Sequence, residues 1–178
     1  MGAAKHPNKV KLIIGLLSND PGILPEVAGR LVKNFGRIDF ESALIDFGHT
    51  QYYAEEFGEG LKRKFLGFEH LVDPETAYAI KVKTNRLEER FSRNGKRRVN
   101  IDPGYLSLSK LILFSTKDYS HRIYLGKGIF AEVTLFYKNN SYNPLPWTYP
   151  DYRTTEYLDI FGRMRMLYKE RVNSGGLG

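Results

Sequence analysis

Lys9-Val10-Lys11-Leu12-Ile13-Ile14-Gly15-Leu16-Leu17 runs directly into Ser18-Asn19-Asp20-Pro21-Gly22. The first nine residues are a short apolar run and the next five are turn formers. Together they read as a buried strand that ends in a turn. Just downstream, Leu24, Val27, Ala28, Leu31, Val32 and Phe35 recur at helical spacing. Pro25 lies near the first turn of that helix and Gly36 just past its end, as helix punctuation prefers.

Further along the chain, Ile38 to Phe47 reads as a second strand, followed by Gly48-His49-Thr50 and a short Tyr52-Tyr53-Ala54-Glu55-Glu56 piece. Leu61 to Val72 alternates basic and apolar residues, which predicts a third strand. Asp73-Pro74-Glu75 supplies a cap, a proline and an acid at the positive end of a helix running to about Phe91. That helix stops at Arg93-Asn94-Gly95-Lys96. Arg97 to Asp102 then reads as a fourth strand, and Asp102-Pro103-Gly104 as a sharp turn.

The order is βαββαβ, a ferredoxin-like pattern. Beyond it, Ser107 to Thr116 fits a helix on Leu108, Leu111, Ile112 and Ser115, or a strand on Leu106, Leu108, Ile112 and Phe114. The helix is favoured. His121 to Leu125 and Ile129 to Tyr137 form a hairpin across Gly126-Lys127-Gly128. Lys138 to Pro150 reads as an aromatic, proline-rich loop. Tyr157, Ile160, Phe161, Met164, Leu167 and Tyr168 place one apolar stripe on a last helix. The expected fold class is α+β, a ferredoxin-like βαββαβ core extended by a C-terminal β-hairpin and helix. Residues 1–178 are expected to form a single domain, with frayed tails at 1–8 and 173–178.

Bulk composition narrows the function classes. A chain of 178 residues suits one domain, and at this length roughly 70% of the unfolded surface is buried. There is no cysteine, so disulfides, thiolate metal sites and cysteine nucleophiles are excluded. The longest apolar run, Leu12 to Leu17, is too short for a signal peptide core or a membrane span. These features predict a cytoplasmic protein with no membrane partner. The net charge is +7, from 27 basic and 20 acidic residues, which fits equally a soluble protein with a basic bias and an anionic partner such as nucleic acid or a phosphorylated metabolite. The 12 tyrosines and 11 phenylalanines suit base stacking, and equally a β-rich core.

The turn at Gly15 to Gly22 follows a strand and precedes a helix, where a phosphate loop would sit. It contains neither Gly-Lys-Ser/Thr nor G-x-G-x-x-G, and Asp20 would repel a phosphate. The four histidines, His6, His49, His70 and His121, lack zinc-site spacing. His70 and His121 also lack the hydroxyl residue two positions on that a two-histidine phosphoesterase requires, since Val72 and Ile123 stand there. Magnesium or a similar divalent ion needs carboxylates. Asp46, Glu69, Asp102 and Glu132 lie on or beside expected strands, where they either converge or stand as charged residues on an open sheet face, and Asp46, Asp102 and Glu132 are the candidate ligands.

The richest segment is Arg97-Arg98-Val99-Asn100-Ile101-Asp102-Pro103-Gly104-Tyr105. Residues two apart on a strand share a face, so Arg98, Asn100 and Asp102 are expected together. They would hold either a ligand or the turn. Asp102 and His121 are the candidate catalytic groups, and Arg122 a candidate phosphate contact. The Pro146-Trp147-Thr148-Tyr149-Pro150-Asp151-Tyr152-Arg153 segment holds the only tryptophan. These aromatics either seal a loop over the core, the favoured reading, or Trp147 and Tyr149 form a stacking wall, with Asp151 beside it and Arg153 as an anion contact.

Several segments resemble the uncharacterised prokaryotic family known as domain of unknown function 4416. They are Lys11 to Leu17, Thr50-Gln51-Tyr52-Tyr53, Thr84-Asn85, Arg98 to Tyr105, His121-Arg122-Ile123-Tyr124-Leu125 and Trp147 to Tyr152. The resemblance spans nearly the whole chain and implies no defined activity. Some members carry a GTP-binding label, yet the phosphate loop is missing here and Ser115-Thr116-Lys117-Asp118 lacks the spacing of a guanine-reading Thr-Lys-x-Asp. Three functions are expected, in this order: binding of a nucleotide, RNA or other phosphorylated ligand; a metal-assisted hydrolase or transferase; and a non-catalytic partner-binding protein.

Overall fold

The computed structural model describes residues 2–48 and 57–175. The expected Gly48-His49-Thr50 turn and the Tyr52 to Glu56 piece fall, apart from Gly48, outside the described residues. Strand β1 (Val10–Ser18) is buried along its whole length. Its alternation divides the core into two. Leu12, Ile14 and Leu16 pack with Leu24, Val27 and Leu31 of α1 (Leu24–Phe35) and Ala77, Ile80 and Leu87 of α2 (Ala77–Phe91). Ile13 faces the other way, into a cluster with Phe65 and the stripe Tyr157, Ile160, Phe161, Met164 and Tyr168 of α3 (Thr155–Asn173). The sheet is therefore covered by α1 and α2 on one face and α3 on the other. That is why β1 reads as a continuous apolar run rather than an alternating one. Lys11 is the exception on this strand: its ammonium is buried, 2.6 Å from Asp39 and 2.9 Å from the Phe68 carbonyl.

The remaining strands are β2 (Ile38–Glu41), β3 (Ile45–Asp46), β4 (Lys62–Val72), β5 (Asn100–Leu106), β6 (Lys110–Ser115), β7 (Ile123–Gly126), β8 (Ile129–Lys138) and β9 (Ser141–Pro144). Among the described residues they form a nine-stranded antiparallel sheet, ordered β2-β4-β1-β5-β6-β8-β7, with β3 on β4 and β9 on β8. The α+β class is as expected. The helix after Asp73 is present as a 3-10 turn, Pro74–Thr76, leading into α2. The hairpin turn at Lys127 and Gly128 has positive φ at both positions, 54° and 76°, as a tight two-residue connection needs.

Four expectations are corrected. The second strand is not continuous but splits into β2 and β3. Ser107 to Thr116 contains strand β6, not a helix. Leu111 and Leu113 of β6 enter the α3-side cluster while Ile112 and Phe114 enter the α1/α2-side cluster. An apolar run with both faces covered hides the period of two, and this made the helix attractive. Lys138 to Pro150 is only partly a loop: Asn139 and Asn140, both at positive φ, turn the chain into β9.

The fourth correction shapes the site. Asp102-Pro103-Gly104 does not turn. It is extended in β5, in register with Gly15, Ile14 and Ile13 of β1. Pairing of β5 with β6 begins only at Gly104, opposite Leu113. A proline cannot donate to a ladder, so a strand accepts it where pairing stops. Before Pro103, β5 and β6 part company and a cleft opens between them.

Candidate functional site

The cleft has a volume of about 790 Å³. Asn100 and Asp102 of β5 border it on one side, and Leu113 to Lys117 at the end of β6 on the other. Lys81, Asn85, Glu88 and Glu89 of α2 contribute a third wall, and Tyr149 to Tyr152 a fourth. Five cationic side chains border it (Arg63, Lys81, Arg97, Lys117 and Arg122), together with five carboxylates (Glu88, Glu89, Asp102, Glu132 and Asp151).

The charges are organised around β5. Where β6 has left, the Ile101 amide donates to Glu88 Oε1 at 2.5 Å, and its carbonyl accepts from Lys81 Nζ at 3.0 Å. Two α2 side chains about two helical turns apart thus satisfy a strand edge left without a partner strand, which would otherwise be costly inside the fold. Glu88 also receives Arg97 at 3.2 Å. Burial pushes the Glu88 carboxyl above its ordinary value despite Lys81 and Arg97. A raised carboxyl stabilises the fold most below the ordinary 4.5, and that contribution fades as pH rises through the folded value. Glutamine keeps the acceptor without the charge. The stability of Glu88→Gln relative to the unaltered protein is therefore expected to improve between about pH 4 and about pH 8 in urea titrations. A difference that stays flat with pH, or runs the other way, would refute this account.

Arg63 is the buried centre of the cleft, with a side chain 3% exposed. Its Nη1 lies 3.0 Å from Asp102 Oδ2 and its Nη2 3.8 Å from Asp151 Oδ2. To reach Asp102 from β4 the guanidinium must pass over β1, and it does so at Gly15. A Cβ there would stand 3.2 Å from Arg63 Nη1 and 3.2 Å from the Phe65 ring. Burial opposes the Arg63 charge, but Tyr152, Asp102, Tyr157 and Asp151 outweigh it and hold the guanidinium charged. The two carboxylates are driven apart. At Asp102 burial disfavours ionisation, yet Arg63 and Lys81 prevail and the carboxyl lies below its usual range. At Asp151 burial prevails over Arg63 and raises it.

A second network stands on the β6–β8 side. Glu132 is 1% exposed, and its Oε2 accepts from Arg122 Nε at 2.7 Å and pairs with His121 Nε2 at 3.0 Å. Its Oε1 accepts from Thr134 at 3.2 Å. Arg122 continues to Ser115 Oγ at 2.9 Å and the Tyr149 hydroxyl at 2.8 Å, and its guanidinium lies over the Tyr119 ring. The His121 ring stacks on Trp147 at 5.2 Å and 13°.

The expected site residues are sorted as follows. Asn100, Asp102, Arg122, Glu132, Tyr149 and Asp151 all border the cleft. His121 and Trp147 touch this group from outside it. Arg98 is not on the shared face: β5 begins at Asn100, so strand alternation does not extend back to it. Its guanidinium pairs with Asp20 at 2.7 Å. Arg97 takes the expected place, donating to Asn100 Oδ1 at 2.9 Å. Arg153 is spent on the carbonyls of Thr148, Pro146 and Leu145, and so ties its own loop together. Asp46 is on the short β3 strand, paired with Lys62, and does not meet Asp102 or Glu132. Among the described residues no three carboxylates or histidines gather as a metal-ligand set.

Arg63, Lys81, Asn85 and Glu88 were missed by the sequence reading. Their signal was present. Arg63 is two before buried Phe65 and therefore shares its face. Lys81 and Glu88 fall on the same helical stripe as Ile80, Thr84 and Leu87.

No helix among the described residues is long and apolar enough to cross a membrane. No curated protein and no solved structure matches the chain significantly. The family model described as Domain of unknown function (DUF4416) matches residues 8–168, and the chain belongs to that family.

Proposed function

We propose that the cleft binds a small phosphorylated ligand of nucleotide size. The observation that carries this reading is a roughly 790 Å³ concavity bordered by five cationic side chains and the rings of Phe47, Phe114, Tyr119, Tyr149 and Tyr152. Small-molecule sites are commonly about 300–1,000 Å³, with apolar walls and a few convergent polar groups. Cations supply the complement to phosphate, and aromatic faces suit a base or a sugar. A walled cleft favours a mononucleotide or sugar phosphate over an RNA strand, which needs an extended basic groove. The sheet order β2-β4-β1-β5, with the short β3 set aside on β4, supports a ferredoxin-like reading of the first half, as fold analogy alone.

The metal-assisted alternative has less support, because both Glu132 oxygens are engaged and Asp46 is paired with Lys62 and does not border the cleft. A thermal-shift series with nucleoside mono- and triphosphates, inorganic phosphate and RNA oligonucleotides, each with and without magnesium, tests the proposal. A rise in melting temperature with nucleotides at millimolar concentration, independent of magnesium, is the expected result. A response to RNA alone, steeply reduced by salt, would replace this reading with RNA binding. No response to any of them at low salt would end it.

A further inference from the structure

Asp102 is built unlike the other carboxylates of the cleft. Both of its hydrogen bonds fall on one oxygen: Oδ2 accepts from Arg63 Nη1 at 3.0 Å and from Asn100 Nδ2 at 2.7 Å. No donor among the described residues reaches Oδ1. The side chain is 27% exposed and borders the cleft. By contrast, Glu132 borders the cleft with donors on both oxygens and only 1% of its side chain exposed, and Glu88 is consumed by Ile101 and Arg97.

The orientation of Asp102 is fixed from two directions. Arg63 reaches it across Gly15, whose missing side chain leaves the passage open. Asn100 holds it from the same strand face and is itself held by Arg97 at 2.9 Å. Where β6 has parted from β5, Asp102 borders the cleft and its side chain keeps 27% of its surface exposed. Such a carboxylate is a preorganised acceptor with one vacancy.

Local charge selects the donor. Arg63 and Lys81 both lie close enough to hold Asp102 ionised. A ligand ammonium would enter beside these two cations, so a neutral O–H donor fits better. We propose that Asp102 is a specificity-determining residue whose Oδ1 accepts a hydrogen bond from a sugar hydroxyl of a phosphorylated ligand. Arg63 and Asn100 are its positioning residues. This inference rests on the phosphorylated-ligand reading above and narrows it to sugar phosphates and the ribose part of nucleotides.

Calorimetric titration with inorganic phosphate, propyl phosphate and ribose 5-phosphate tests it. Propyl phosphate carries the anion on an alkyl chain without hydroxyls. A hydrogen bond to a charged acceptor is worth a factor of about ten or more in affinity, so ribose 5-phosphate is expected to bind at least about tenfold more tightly than propyl phosphate. Asp102→Asn is expected to bring the two within about twofold of each other, the readout being the ratio of their affinities in the same variant. Asp102→Glu retains the charge opposite Arg63 but moves the oxygen by a methylene, and is expected to lose the preference too. Equal binding of the two organic phosphates to the unaltered protein overturns the proposal, whether or not the variants fold. So does a preference that survives in a folded Asp102→Asn protein. If inorganic phosphate binds and the preference is absent, the anion reading stands and only the role of Asp102 falls. If none of the three binds, both fall together.

Discussion

Replacing Arg63 with methionine is expected to cost about 3–5 kcal/mol of folding stability, the range for removing one partner of a buried ion pair. The side chain is 3% exposed and faces Asp102 and Asp151 at 3.0 and 3.8 Å. Methionine fills much of the same volume, so the loss arises from the carboxylates left behind more than from a cavity. Asp102 suffers most, because its ionised form depends on Arg63 first among its favourable neighbours. Asp151 is already raised by burial and can take up a proton more readily. The measurement is urea unfolding at neutral pH, with an unchanged slope showing that the cooperative unit is intact. Adding Asp102→Asn to Arg63→Met is expected to recover part of the loss, because the stranded charge is then gone. A loss below about 1 kcal/mol in the single variant, the scale of an exposed pair, would show that Arg63 is not the electrostatic centre of the cleft.

Gly104→Ala is expected to cost about 3 kcal/mol or more, at the upper end of overpacking effects. An added Cβ would stand 2.3 Å from the Ile112 carbonyl oxygen and 2.9 Å from Leu113 Cδ2. The first obstacle is backbone in the adjacent strand and has no rotamer by which to withdraw. The φ at Gly104 is not positive, so close approach is the reason for glycine here, not conformational freedom. Gly104 opens the β5–β6 ladder, and Pro103 one residue earlier marks where it stops. Displacing this point shifts the mouth of the cleft as well as the sheet. Weaker ligand binding in the folded fraction is therefore expected together with the lower urea midpoint. A variant as stable as the unaltered protein would contradict the close packing of β5 on β6.

Local sequence was enough for much of this architecture. Lys9 to Leu17, the α1 stripe from Leu24 to Phe35, the proline-led start of α2, the Lys127-Gly128 turn and the Tyr157 to Tyr168 stripe were all legible. Each is a periodicity or a turn preference contained within about ten residues. The approximate place of the site was legible too, since Asn100 and Asp102 share a strand face in both readings.

The neighbours that surround that face come from long-range pairing. Asp-Pro-Gly is a turn former in isolation, yet seven residues of β1 pair with β5 from Asn100 to Leu106 and hold it extended. The run from Leu111 to Phe114 is a strand because cores lie on both of its faces, and no periodicity within the run reveals that. Arg63 and Asp102 are 39 positions apart and meet only because β4 and β5 flank β1 at Gly15. Lys81 and Glu88 are drawn to Ile101 by an edge that exists only where β6 departs. Local preference determined the elements of this protein. Long-range pairing, by leaving one strand edge open and burying one arginine, determined the cleft.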